Sequence, residues 1–172
     1  MAASPASVPE ASCSFSLFPS DGWEETITHA FDLSHADIIT YSTARSGRTA
    51  VKRSTAKGYN LFVEGYCHSL LFCKQTSADG SIQMYFKLRC HRSMRKRDPP
   101  HKIEIHLEQS STKQTVTVKH GHCSCVAGKQ GSCNHCFAAL YLISHCTMCG
   151  LNSVPEFSCI ILYHATSEMA HA

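Results

Sequence analysis

The sequence lacks the marks of export and of membrane insertion. Residues 1–12, MAASPASVPEAS, have neither the basic start nor the apolar stretch of a secretory signal. No apolar run approaches the roughly 18 residues needed to span a bilayer. Asn-x-Ser/Thr acceptors are absent, and so are internal repeats and heptads. An intracellular protein is the expectation, with no membrane partner. Of the 13 acidic residues, six fall in residues 1–44 and the others are scattered, so no carboxylate cluster suited to two-metal phosphodiester chemistry is in view. No small-molecule substrate suggests itself either, and the chain is not expected to be an enzyme.

In place of these stand cysteine and positive charge. The chain has 172 residues, enough for one domain with a single main core. Its 11 cysteines are odd in number and come without an export signal, so metal ligation accounts for clustered thiols better than a disulfide framework does. Charge is strongly segregated. Residues 1–44 hold no Lys or Arg, whereas residues 45–102 hold thirteen against three Asp/Glu, a surplus of ten positive charges that must face an anion or water.

Residues 1–22, rich in Ala, Ser and Pro, bury too little to offset the entropy of ordering and read as a disordered tail. Ser34 to Ala44 reads as a short helix, with Ser34 as N-cap and Asp37 in the place of a capping-box acid. Strand-like runs follow at 60–66, 68–74, 82–91, 102–108 and 115–125. Asp79-Gly80 marks a hairpin turn, and Asp98-Pro99-Pro100 interrupts any ladder. Segment 102–108 alternates, Ile103, Ile105 and Leu107 against Glu104, His106 and Glu108, as a half-buried antiparallel strand does. The expected fold class is α+β, an antiparallel β meander followed by a metal-bound hairpin and helix. Its parts are a tail (1–22), an α+β basic region (23–112), a cysteine-histidine finger (113–148) and a divergent C-terminal tail (149–172).

Four residues of segment 121–143, GHCSCVAGKQGSCNHCFAALYLI, form the candidate metal site: Cys123, Cys125, Cys133 and His135. Two residues apart in a strand, Cys123 and Cys125 would project the same way. Gly128 and Gly131 permit the reversal that follows. Cys133 then has to sit in the turn and His135 in the first turn of a helix from Asn134 to His145, apolar on nearly all sides. Three thiolates, one imidazole and Zn²⁺ carry a net charge of −1, which a helix N-terminus stabilises. Such coordination uses every position on zinc, leaving none for a catalytic water.

The stretch resembles the SWIM zinc-finger family, whose pattern is C-x-C, a spacer, then C-x-H, here Cys123-Ser-Cys125, seven residues, Cys133-Asn-His135. A looser similarity runs back through residues 85–108 to SWIM proteins associated with transposons and phage-type recombinase nucleases. The resemblance implies Zn²⁺ as cofactor in a structural role. Cys136 departs from the family, which has an aliphatic residue there, and as half of a Cys133-x-x-Cys136 pair it is the alternative ligand to His135. Cys146-x-x-Cys149 is a second metal half-site, a redox pair or, with no second pair near it in the sequence, two ordinary thiols, the reading preferred. Cys67, Cys73 and Cys90 have no partner at metal spacing and read as packed or surface side chains.

Arg89, Arg92, Arg95, Lys96 and Arg97 crowd one segment beside the Pro-Pro break. They are the candidate nucleic-acid contacts, or a nuclear import signal, or a solvated loop. Tyr85 and Phe86 nearby are candidates for base stacking or for the core. The expected function is a zinc-binding module that engages nucleic acid or an acidic protein surface, in the nucleus. Its rival is an accessory or truncated fragment of a recombinase nuclease lacking the catalytic domain.

Overall fold

The computed structural model describes residues 18–92 and 97–154, and within them not the side chains of 46–52. Its elements are α1 (His35–Val63), β1 (Cys67–Thr76), β2 (Ile82–Cys90), β3 (His101–Gln109), β4 (Val116–Cys123) and α2 (Asn134–Met148). The four strands form one antiparallel sheet in the order β1-β2-β3-β4, which is the expected meander. Among the described residues no helix is long and apolar enough to cross a membrane.

Alternation sorts the two sheet faces. Phe72, Met84, Phe86, Leu88, Ile103, Ile105 and Leu107 are buried on one face, while Lys87, Glu104, His106 and Glu108 stand half-buried on the other. The β1–β2 turn is the predicted hairpin. Gly80 adopts φ 80°, and the Asp79 carboxylate accepts from the Ser81 amide at 3.0 Å and hydroxyl at 2.7 Å. The Pro-Pro break separates β2 from β3 as expected, since Pro has no amide to donate to a ladder.

α2 lies across the apolar face, touching all four strands, and α1 lies on α2 and β4. A helix covered on both sides must be apolar all round, and residues His135 to Cys146 are buried without a break. Burying each large side chain among them, such as Phe137 or Leu140, contributes about 1.5–3 kcal/mol. Ser144 Oγ donates to Leu33 O at 2.6 Å, joining α2 to the segment that leads into α1.

α1 corrects the sequence reading. The capping box at its start is as expected, with Ser34 Oγ accepting from the Asp37 amide at 3.2 Å and the Asp37 carboxylate accepting from the Ser34 amide at 2.9 Å. The helix does not stop near Ala44, however, and residues 60–63 are its last turn rather than a strand. The run Asn60-Leu61-Phe62-Val63 has the composition of a strand, but Leu61 and Phe62 are buried from a helix and complete the core. Gly58 permits the packing: a Cβ there would lie 2.5 Å from Phe137 Cβ and 2.9 Å from Asn134 O.

Both helices end alike. Gly65 (φ 68°) and Gly150 (φ 63°) follow the caps. Tyr66 and Leu151 donate backward to Leu61 O at 3.0 Å and Cys146 O at 2.7 Å, a Schellman closure in each case.

The segment before α1 is attached to the sheet. Glu24 and Phe72 exchange two backbone bonds of 2.8 Å, Phe18 packs edge-on to Tyr85 at 5.6 Å, and Lys87 Nζ lies 4.0 Å over the Trp23 ring. Phe18 to Gly22 therefore have positions, although their composition suggests none; residues 1–17 lie outside the described residues. Of the C-terminal stretch, Asn152 O accepts from the Ile27 amide at 2.6 Å, and residues 155–172 lie outside the described residues.

Candidate metal centre

Cys123 enters the site as the last residue of β4, opposite Ile103 of β3. The chain then curls. Cys123 N–H donates to Gly128 O at 3.0 Å, and Gly128 N–H returns to Cys125 O at 2.9 Å. A turn this tight requires Gly128, since a Cβ there would stand 2.2 Å from Cys123 O. The amide of Cys125 points at Cys123 Sγ, 3.5 Å away. Cys125 thus lies in a turn beyond the strand, which corrects the reading that alternation along one strand pairs the two thiols. A strand would spend that amide on its neighbour; the curl turns it toward sulfur.

The second pair sits where the helix geometry demands. Cys133 is the N-cap of α2 with extended backbone (φ −82°, ψ 160°) and makes no side-chain cap bond, so its sulfur is free to face Cys123. His135 falls in the first helical turn, its Nδ1 4.0 Å from Cys133 Sγ. One donor atom from each of Cys123, Cys125, Cys133 and His135 lies within 4.8 Å of all the others, and the four together can hold a metal ion. Tetrahedral donors at metal–sulfur bonds near 2.3 Å are about 3.8 Å apart, so a modest contraction closes the site.

Cys136, wholly buried, stands alongside this set. Hydrogen bonds with Cys123 and Cys136 hold the Cys133 thiol far below its ordinary range. The bond to Cys133 pushes Cys123 upward, bonds with Cys123 and Cys133 push Cys136 upward, and burial pushes Cys125 upward. Thiols this close together in a buried pocket are a donor set that a cation could hold in place of their protons.

Three further elements fix the pocket. Ser124, between the first two cysteines, is locked to β3: its Oγ accepts from the Lys102 amide at 3.0 Å and its own amide donates to Lys102 O at 2.9 Å. His101 is only 8% exposed and lies 4.5 Å, ring to ring, from His135. Arg92 Nε donates to His101 Nε2 at 3.0 Å, leaving the His101 Nδ1 proton for Ser124 Oγ at 3.4 Å. Burial holds His101 below its ordinary value, in agreement with that neutral tautomer. From α1, Tyr41 OH donates to Gly131 O at 3.2 Å, and Arg45 reaches Gln130 O and Lys119 O at 3.4 and 3.1 Å. Gly131 (φ 71°) could not carry a Cβ, which would meet Gly121 O and Tyr41 OH at 2.3 Å.

None of these supports is visible in residue spacing, because each joins segments far apart in the chain. The same is true of Cys67 and Cys90. They face each other across β1 and β2, hydrogen-bond through their thiols and lie near Cys123. At the other end of α2, Cys149 Sγ is 3.7 Å from His145 Nδ1, and among the described residues the Cys146/Cys149 pair belongs to no metal-type cluster.

The five basic candidates separate. Arg89 is exposed on β2, and Arg97 is exposed beside the break. Arg92 is directed at His101 and forms an ion pair with Asp98 at 3.7 Å. Arg95 and Lys96 lie outside the described residues. Tyr85 and Phe86 are both buried, at 8% and 0% exposure, so neither offers a free ring face to a base. Comparison of the chain with family models, with curated proteins and with solved structures gives no match.

Proposed function

We propose that the chain is a zinc-binding module of SWIM type in which the metal is structural, and that the folded module binds nucleic acid rather than turning over a substrate. The observation that carries the reading is the convergence of three sulfurs and one imidazole within 4.8 Å at the start of a buried helix. Zinc favours that donor set, and bound there it supplies folding energy by tying the β4 turn to α2. With four protein donors no position is left for a reacting water. The nucleic-acid part is supported by the surplus of ten positive charges in residues 45–102.

The test is elemental analysis of the purified chain alongside Cys125→Ser and Cys133→Ser. About one zinc per chain is expected in the native protein and none in either variant. A variant that keeps its zinc defeats the assignment. Chelation of the native protein should also abolish its cooperative unfolding transition.

A further inference from the structure

We propose that the end of the sheet next to the metal turn carries the phosphate-contacting site, formed by Ser69, Arg89 and Lys102 with His68, and that its ligand is the phosphodiester backbone of a nucleic acid. The inference rests on the binding-module reading above and supplies its contact surface.

The ladder register places these side chains together. His68 of β1 faces Arg89 of β2, and Arg89 faces Lys102 of β3. Facing residues stand about 4.5–5.5 Å apart at Cα, and like charges directly opposite one another destabilise a sheet unless something neutralises them. Arg89 and Lys102 are both exposed, and among the described residues neither forms an ion pair. Two residues further along the same face the pattern differs: Lys87 stands opposite Glu104, its ammonium lies 4.0 Å over the Trp23 ring, and Glu104 reaches His122 at 3.9 Å. Opposite charges face each other inside the sheet, and like charges face each other in its end row.

A second observation concerns the backbone. β1 bulges between His68 and Leu71, and Ser69 there has φ 55°, a left-handed conformation unusual for a residue with a side chain. Strain of this kind persists where the surroundings hold it, often at ligand sites, and a bulge re-aims side chains. Here it brings the Ser69 hydroxyl to His68 Nδ1, 2.8 Å away. Both residues line a groove with Arg89 and Lys102. The groove also receives Glu25 and Glu104, so its anion preference comes from the end row and not from the groove as a whole.

The chemistry fits a phosphate. A guanidinium fork and a hydroxyl donate to different oxygens of one tetrahedral anion, and the adjacent ammonium adds a point charge. Lys102 also links the row to the metal centre, since its backbone holds Ser124 between the two cysteine ligands. An ion held by those cysteines would thereby help fix the position from which Lys102 projects.

The experiment titrates zinc-loaded full chain with a labelled single-stranded DNA, a single-stranded RNA and a polyglutamate peptide over a range of salt. Arg89→Ala and Lys102→Ala should each weaken nucleic-acid binding several-fold and reduce the slope of log affinity against log salt by about 0.7. Lys113→Ala, which removes the same charge from the β3–β4 turn at the far end of the sheet, should do neither. Zinc content is measured on every variant and should be unchanged. If all three substitutions act equally, net charge alone is responsible and the site is refuted. If nucleic acid binds with Arg89 and Lys102 dispensable, the site fails while the binding-module reading stands. If polyglutamate alone binds, both the site's ligand and the nucleic-acid reading fall, while the zinc assignment is untouched.

Discussion

α1 and α2 pack against each other, yet they are held by opposite means. α2 has no solvent face: twelve consecutive residues from His135 to Cys146 are buried, and its N-terminus carries two of the four candidate ligands. α1 is nearly twice as long, 29 residues against 15, and is only partly covered. It relies on a capping box, on Gly58 against α2 and on a Schellman closure. The helix at the centre is thus stabilised by burial on all sides, whereas the outer one is buried along one face, through Ile38, Tyr41, Leu61 and Phe62, and depends further on its ends and on one close approach.

The comparison can be broken from the inside outward. Phe137→Ala on α2 opens a cavity between the sheet and α1, and a loss of about 3–5 kcal/mol is expected in urea unfolding. A loss under about 1 kcal/mol would show that α2 is not the core helix. Gly58→Ala should cost less, about 1–3 kcal/mol, because the added methyl meets Phe137 and the Asn134 carbonyl and outweighs the better helix propensity of alanine. Stabilisation by this change would mean that the helices sit further apart. Ser34→Ala removes the cap of α1 and should lower stability by about 1 kcal/mol without altering metal content. Loss of metal in that variant would show that the start of α1 is coupled to the ion site.

The smallest effect belongs to neither helix. On the outer sheet face His106 stacks on Tyr85 at 4.5 Å and its Nε2 lies 2.7 Å from Gln83 Oε1. Burial lowers it, with Glu108 opposing and His120 and Lys119 assisting. His120 is lowered in the same direction, also chiefly by burial. With the folded value below the ordinary 6.5, the unfolded chain takes up its proton first on acidification. Stability should therefore fall as pH drops below that value and level off once the folded imidazoles are protonated. Urea midpoints at about pH 7.5 and about pH 5.5 measure the difference, and His106→Gln should narrow it. An unchanged difference would assign the pH dependence to other groups.

How much could be read in advance follows the same division. The start of α2 was legible because an apolar run after Cys133-Asn-His135 has one way to bury itself, and the meander was legible because alternation and turn residues are local signals. The capping box was legible too. The body of α1 was not: residues 45–59 mix five cations, β-branched residues and two glycines, with no strong preference of their own. Cys125 was misplaced into a strand because spacing alone does not distinguish alternation from a curl.

The sequence by itself determined the candidate ligand cluster, the helix it precedes, the strand alternation and the segregation of charge, since each is a property of the order of residues along the chain and not of how distant segments meet. Tertiary structure decided the rest. It extended α1 across α2, brought His101, Tyr41 and Arg45 around the metal turn, and set Arg89 beside Lys102. Those contacts depend on strand register and helix approach, which arise only when the apolar face of the sheet and α2 are buried together.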